Sequence, residues 1–252
     1  MNHHHQLFLK WLIIAVLTGF GVVAASYFGL IQLMVSKDIS LISALIMLVA
    51  MIMFVYLGTR TSKVSKELNL AEQTKDVIES CDPEQLVYET KDDDILVSGK
   101  VLPKCAATEH IANLMMKAKV GKSRTIDQTL LLEDFSDCLH EKSAIGWMVS
   151  QKLTNLGLLG TAIGFVVALM AFFGVSSLEF AAMKTILSDV SVGMSVALYT
   201  TITAMVAAIP IELKTYFIER GNNQLVSMVT KITEIYVVPA LEKANEKKPN
   251  KR

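Results

Sequence analysis

Three hydroxyls stand where polar groups are scarce. Thr161, Thr200 and Thr201 fall in two stretches, residues 153–175 and 190–211, that contain no Asp, Glu, Lys or Arg. A threonine in such surroundings can bond back to its own helix, or it can hydrogen-bond water or a carboxylate brought by another chain. Spacing leaves both readings open. Small residues surround the hydroxyls: Gly157, Gly160, Gly164, Ala168 and Ala171 beside Thr161, and Gly193, Ala197, Ala204 and Ala208 beside Thr200 and Thr201. At 100° per residue the first set covers about a third of a helix circumference, and Leu158, Phe165, Val166 and Leu169 take the opposite side. Thr201 lies nearer the centre of its small face than Thr200. Such faces let helix backbones approach closely, so both are expected to pack against a partner helix.

The ionisable residues are more telling by their absence. An intramembrane carboxylate is the usual carrier in an ion path, and none lies inside the apolar stretches. Either the chain conducts nothing or another chain supplies the group. Asp189, at the outer edge of the last stretch, either gathers ions at a periplasmic mouth or caps a helix. Glu212 and Lys214, just past Pro210, mark an inner exit or are interfacial charges. His3, His4 and His5 are adjacent at a terminus and are read as disordered. The acid run at 92–94 reads as a solvated loop, or as a contact for another protein. Cys81, Cys105 and Cys138 match no zinc spacing and read as ordinary buried or half-buried thiols on the reducing side. No nucleophile elbow, phosphate loop, metal cluster or paired carboxylate occurs, so neither an enzyme nor a cofactor or metal is expected. Balanced charge, 24 basic against 24 acidic residues, gives no reason to expect nucleic acid.

The elements that must position these residues are membrane helices. Of the 252 residues, 52% are hydrophobic, and four stretches, 11–35, 39–58, 153–175 and 190–211, lack charge. About 20 apolar residues cross a ~30 Å hydrocarbon core as a helix, the form in which every backbone group is satisfied. The expected fold is an all-α integral membrane protein with four transmembrane helices. A helical cytoplasmic region lies between spans 2 and 3, and a cytoplasmic helix follows span 4. The corresponding parts are residues 1–58, an N-terminal hairpin; 59–152, cytoplasmic; 153–216, the last two spans; and 217–252, a C-terminal helix with a disordered tail. Lys and Arg crowd into the long polar region and the tail and are nearly absent from the two short loops, which places both termini inside. Trp11 and Trp147 sit where interfacial aromatics belong.

Within the polar region, residues 61–80 read as a helix stopped by Asp82-Pro83. Residues 91–103 read as a loop, 110–120 as a short helix ended by Gly121, and 125–147 as a helix running into span 3 with Gly146 its one break. Pro210 lies near the inner end of span 4 and is expected to kink it there. Beyond it a helix is expected to continue to about Lys243, with Leu213, Phe217, Leu225, Met228, Ile232 and Ile235 as its apolar stripe.

Two segments resemble a known family. Leu156-Gly157-Leu158-Leu159-Gly160-Thr161-Ala162-Ile163-Gly164 resembles the start of the channel domain of MotA/TolQ/ExbB proteins. So does Gly193-Met194-Ser195-Val196-Ala197-Leu198-Tyr199-Thr200-Thr201, followed by Ala207-Ala208-Ile209-Pro210. The order, spacing and intervening loop agree over about residues 153–216. Four spans with a long loop after the second resemble the MotA layout; the Leu-Gly-Leu-Leu-Gly-Thr wording is closer to TolQ and ExbB. Those two have a Glu where this sequence has Val196, whereas MotA-like members can be apolar there. The resemblance implies an inner-membrane subunit of an ion-driven motor. Five copies would surround a dimer of single-span MotB/ExbD/TolR-like partners, each carrying a transmembrane Asp that faces the threonines at 161 and 201. The competing expectation is a non-conducting scaffold that oligomerises through its small stripes.

Overall fold

The computed structural model describes residues 4–27, 29, 41–81, 88–91, 94–121, 125–173 and 180–246. Helix dominates. In chain order the elements are α1 (His4–Tyr27), α2 (Ile42–Glu79), strands β1 (Tyr88–Lys91), β2 (Asp94–Val97) and β3 (Lys100–Val101), α3 (Ala106–Val120), α4 (Thr129–Met170), α5 (Phe180–Ile232), a π-helical turn (Thr233–Val237) and α6 (Val238–Glu246). Three described helical runs are long and apolar enough to cross a membrane: Ile42–Glu79, Thr129–Met170 and Met183–Glu246. The first apolar stretch is helical as α1, whose described apolar run Leu12–Ala24 is shorter than a full span. The turn expected at 36–38 lies outside the described residues, as do Asp82, Pro83, Asp92, Asp93 and the tail beyond 246.

The chain divides into two compact units. The first comprises Met1–Phe8, Arg60–Ser143 and Ile218–Arg252; the second comprises Leu9–Thr59 and Ala144–Phe217. Helices α2, α4 and α5 each contribute to both.

The first unit has a true apolar core. Ile78, Val97, Leu102, Ile111, Leu114, Ile232, Val237 and Leu241 are packed together in it. Residues 91–103, expected as a loop, instead supply most of an antiparallel sheet of order β1-β2-β3. The reason is local. Ile95 and Val97 alternate inward with 6% and 0% exposure, the period-2 pattern of a half-buried strand. Ser98 and Gly99, at φ 48° and 81°, then make the two-residue turn with both residues at positive φ that matches strand twist. The short helix begins at Ala106, four residues before its expected start, because the Glu67 carboxylate accepts the Ala106 N–H at 2.9 Å and satisfies one orphan donor of its first turn. It stops at Gly121, whose N–H bonds the Lys117 carbonyl.

The stripe expected after Pro210 holds at its centre, where Leu225 and Ile232 are buried and Met228 packs against the core, and fails at its ends. Leu213 and Ile235 are 46% and 61% exposed, while Ile211, Lys214, Ile218, Leu225 and Ile232 are buried. Helix α5 passes through Pro210 and continues to Ile232, so the proline lies well inside a helix and not at its end. The π-helical turn at Thr233–Val237 precedes Pro239. Proline has no N–H for the Ile235 carbonyl and crowds it, and the wider turn gives that carbonyl room.

Candidate functional site: the threonine seam

The second unit brings the two small-residue faces together, against each other. A Cβ built on Gly157 would fall 2.5 Å from the Ala204 Cβ, and one on Gly160 would fall 2.5 Å from the Thr200 Oγ1. On Gly164 it would fall 2.6 Å from the Ala197 backbone nitrogen, and on Gly193 it would collide with the backbone of Ala168. Helices α4 and α5 therefore pack at near-backbone distance along Gly157, Gly160, Gly164 and Ala168 on one side and Gly193, Ala197, Thr200 and Ala204 on the other. Ala168, Ala197, Ala204 and Ala208 are all buried. The stripes that sequence reading offers to a partner helix are largely occupied within the chain itself. The reason is that a small-residue face fits any close helix, and the next span is tethered nearby.

The hydroxyls divide along this seam, and Thr200, not Thr201 as expected, is the one at its centre: the two lie about equally far round the helix from the small-residue axis, and the notch at Gly160 takes Thr200. Thr200 is fully buried, donates to the Val196 and Ala197 carbonyls at 3.0 Å and fills the notch at Gly160. Thr161 and Thr201 are half-buried at the seam's edge and hydrogen-bond each other through their Oγ1 atoms. Thr161 also reaches the Gly157 carbonyl at 3.0 Å, and Thr201 reaches the same carbonyl and that of Ala197 at 3.2 Å. Two hydroxyls carry two protons and four lone pairs. One proton makes the bond between them and the other goes to a backbone carbonyl, so three lone pairs remain that can accept from a protonated carboxyl or ligate a bare cation. Val196 is buried at 2% exposure, one turn before Thr200 on α5.

The other sequence candidates are placed differently. Asp189 is exposed and lies nine residues into α5, which begins at Phe180, so it caps nothing. Pro210 leaves the Val206 carbonyl without an i+4 donor, because its ring nitrogen carries no hydrogen. Glu212 and Lys214 part company. Glu212 accepts a hydrogen bond from the buried Ser150 hydroxyl at 2.5 Å. Lys214, expected at an interface, is 1% exposed with its ammonium over the Phe54 ring. Beside them Gly146 does not break α4: it lies where the Thr215 side chain presses against the helix, leaving no room for a Cβ. Ser150, Thr215 and Phe54 were not legible as partners in the sequence. The signal for Gly146 and Thr215 was present only as a glycine inside a helical pattern, which marks close approach. Of the cysteines, Cys81 is half-buried and Cys105 buried as expected, but Cys138 is exposed. No group of three or more metal-ligating side chains occurs among the described residues.

The geometry defines a multi-pass membrane protein with a close-packed helix pair carrying paired hydroxyls at its edge. Residues 115–231 match the model of the MotA/TolQ/ExbB proton channel family. The match contains the whole of the seam and reaches well beyond residues 153–216. No curated protein and no solved structure matches the chain.

Proposed function

We propose that this chain is the channel-forming subunit of a proton- or sodium-driven motor, in which five copies surround two single-span partner chains and convert the ion gradient into mechanical work. The observation that carries the proposal is the Thr161–Thr201 hydroxyl pair, half-exposed on a seam whose spans, 153–175 and 190–211, hold no ionisable residue. A partner aspartate would complete the path. Protonated, it donates to a free lone pair of the hydroxyls; ionised, it accepts from a hydroxyl that turns away from the Gly157 carbonyl. In an apolar surround the difference between those two bonds is large enough to couple protonation to movement of the partner helix. With sodium, the same oxygens are hard ligands. The chain sits in the bacterial inner membrane with four spans and both termini cytoplasmic, and the polar region faces a rotor or regulator. Asp189 stands at the periplasmic mouth.

One observation favours a non-conducting scaffold: both hydroxyls already have backbone acceptors, which is what simple back-bonding looks like. Ion flux decides between the two readings. In proteoliposomes holding the chain with its co-expressed partner, Thr161→Val and Thr201→Val keep side-chain shape and remove the hydroxyl. Loss of flux with the complex intact supports the motor; full flux in both variants leaves only the scaffold.

A further inference from the structure

The first unit carries two charged surfaces of opposite sign on different sides. One is an open cleft of about 1110 Å3. Its rim carries Arg60, Lys63, Lys66, Lys104, Lys119 and Lys142, against two acidic residues, Glu67 and Glu109. Glu67 is already engaged by the first turn of α3. Its floor is apolar, with Leu102, Met115, Leu139 and Leu225 among the lining. The other surface is the outer face of α4, where Glu133, Asp134, Asp137 and Glu141 are all exposed. None of the four has an ion-pair partner among the described residues. At 100° per residue they share one face of about 100°, and Leu130, 71% exposed, lies within it. The cleft-lining Leu139 and Lys142 come from the far side of the same helix, roughly 130–170° round.

We infer that the basic cleft of one copy receives the acidic stripe of α4 from a neighbouring copy. Charge complementarity names the occupant. The stripe is an acidic helical segment with an apolar residue on it, and the cleft is an apolar floor with a basic rim. Arg60 to Leu70 of α2, about 15 Å of helix, border the cleft, long enough for the roughly 12 Å that the stripe spans from Glu133 to Glu141. The two surfaces lie on opposite sides of one helix. Their contact is therefore head-to-tail and not two-fold, the kind that makes a ring when the rotation between copies closes and a filament when it does not. The inference rests on the proposed oligomer, for which it supplies a contact outside the membrane.

The test uses the full chain in detergent with Cys138→Ser to silence the exposed thiol. Chains carrying Lys66→Cys and chains carrying Asp137→Cys, with different tags, are co-expressed and treated with a short bismaleimide. The expected product joins both tags, and neither variant alone gives it. Charge reversal in the cleft (Lys63→Glu with Lys119→Glu) or on the stripe (Glu133→Lys with Glu141→Lys) lowers its yield about fivefold, and both together restore it to within about twofold. Five copies by native mass with no such cross-link, or a yield indifferent to charge reversal, overturns the contact and leaves the motor intact. A single copy by native mass overturns both. A cross-link that persists in a complex without ion flux removes the motor alone.

Discussion

At the scale of single residues the proposed ion path rests on Thr161 and Thr201. Their hydroxyls meet each other and one carbonyl, that of Gly157. A hydrogen bond to a charged partner contributes about 1.5–3 kcal/mol, so removing either hydroxyl is expected to lower ion flux roughly 10- to 100-fold. Thr→Ser at the same positions should keep most of it. Measured flux equal in Val and Ser variants would argue against the hydroxyls. Thr200, buried against Gly160, is a packing residue first. Thr200→Val should lower stability more than it lowers flux per assembled complex, which thermal unfolding and flux assays separate. A second residue-scale expectation concerns His110, 2% exposed beside the Phe135 ring. Burial holds its imidazole below the ordinary value of 6.5, with Gln128 opposing less strongly. The unfolded chain then binds the proton more readily than the folded one. The stability His110 contributes is present above about pH 6.5 and is lost as pH falls from there toward the lowered folded value. Wild type should lose more thermal stability than His110→Phe between pH 7.5 and 5.5; equal losses would assign the acid sensitivity to other groups.

At the scale of elements, the α4–α5 seam depends on glycines that differ sharply from others in the chain. Gly164 and Gly193 face backbone, which cannot move aside as a flexible side-chain tip can, whereas a Cβ on Gly19 meets nothing within 4 Å. Gly164→Ala and Gly193→Ala should each destabilise by about 1–3 kcal/mol through overpacking, and Gly19→Ala should be near neutral. The melting temperature of the solubilised protein reads the contrast. A drop at Gly19 matching that at Gly193 would mean the seam is not the source. Gly146 belongs with the seam glycines, since its missing Cβ makes room for Thr215. Helix α5 is long and passes Pro210 without ending, so the same element that lines the seam also carries Ile218, Leu225 and Ile232 into burial.

At the scale of the whole molecule, the described chain exposes much apolar surface in its membrane helices. Phe20, Leu158, Phe165 and Val206 are 60–71% exposed, a surface suited to lipid and to further copies. With the α4 and α5 stripes packed on each other, the proposed partner helices are left the seam's edge, where Thr161 and Thr201 stand. The complex is expected to have a native mass of five copies with two partner chains. Substituting the partner's membrane aspartate with asparagine should abolish flux while leaving that mass unchanged. A mass that changes with the substitution would make the aspartate an assembly residue.

The sequence by itself determined that this is a membrane protein, which residues carry hydroxyls among small neighbours, and the resemblance of residues 153–216 to a family whose model matches residues 115–231. Uncharged stretches of about 20 residues have one stable form in lipid, and short motifs keep their order whatever they touch. It also placed α3 and the run of α4 into the membrane, because helical period is a local property. Only the tertiary structure decided what those small faces touch. A glycine stripe is equally complementary to a helix of its own chain and to one from elsewhere, and the structure closes α4 on α5. The same holds for Lys214. Two residues from Glu212, it looks in sequence like an interfacial charge, yet its position on α5 turns it inward onto Phe54, a residue roughly 160 positions away. The strand at Ile95–Val97 stayed hidden because its alternation is only three residues long and becomes visible once a sheet and a core exist to receive it.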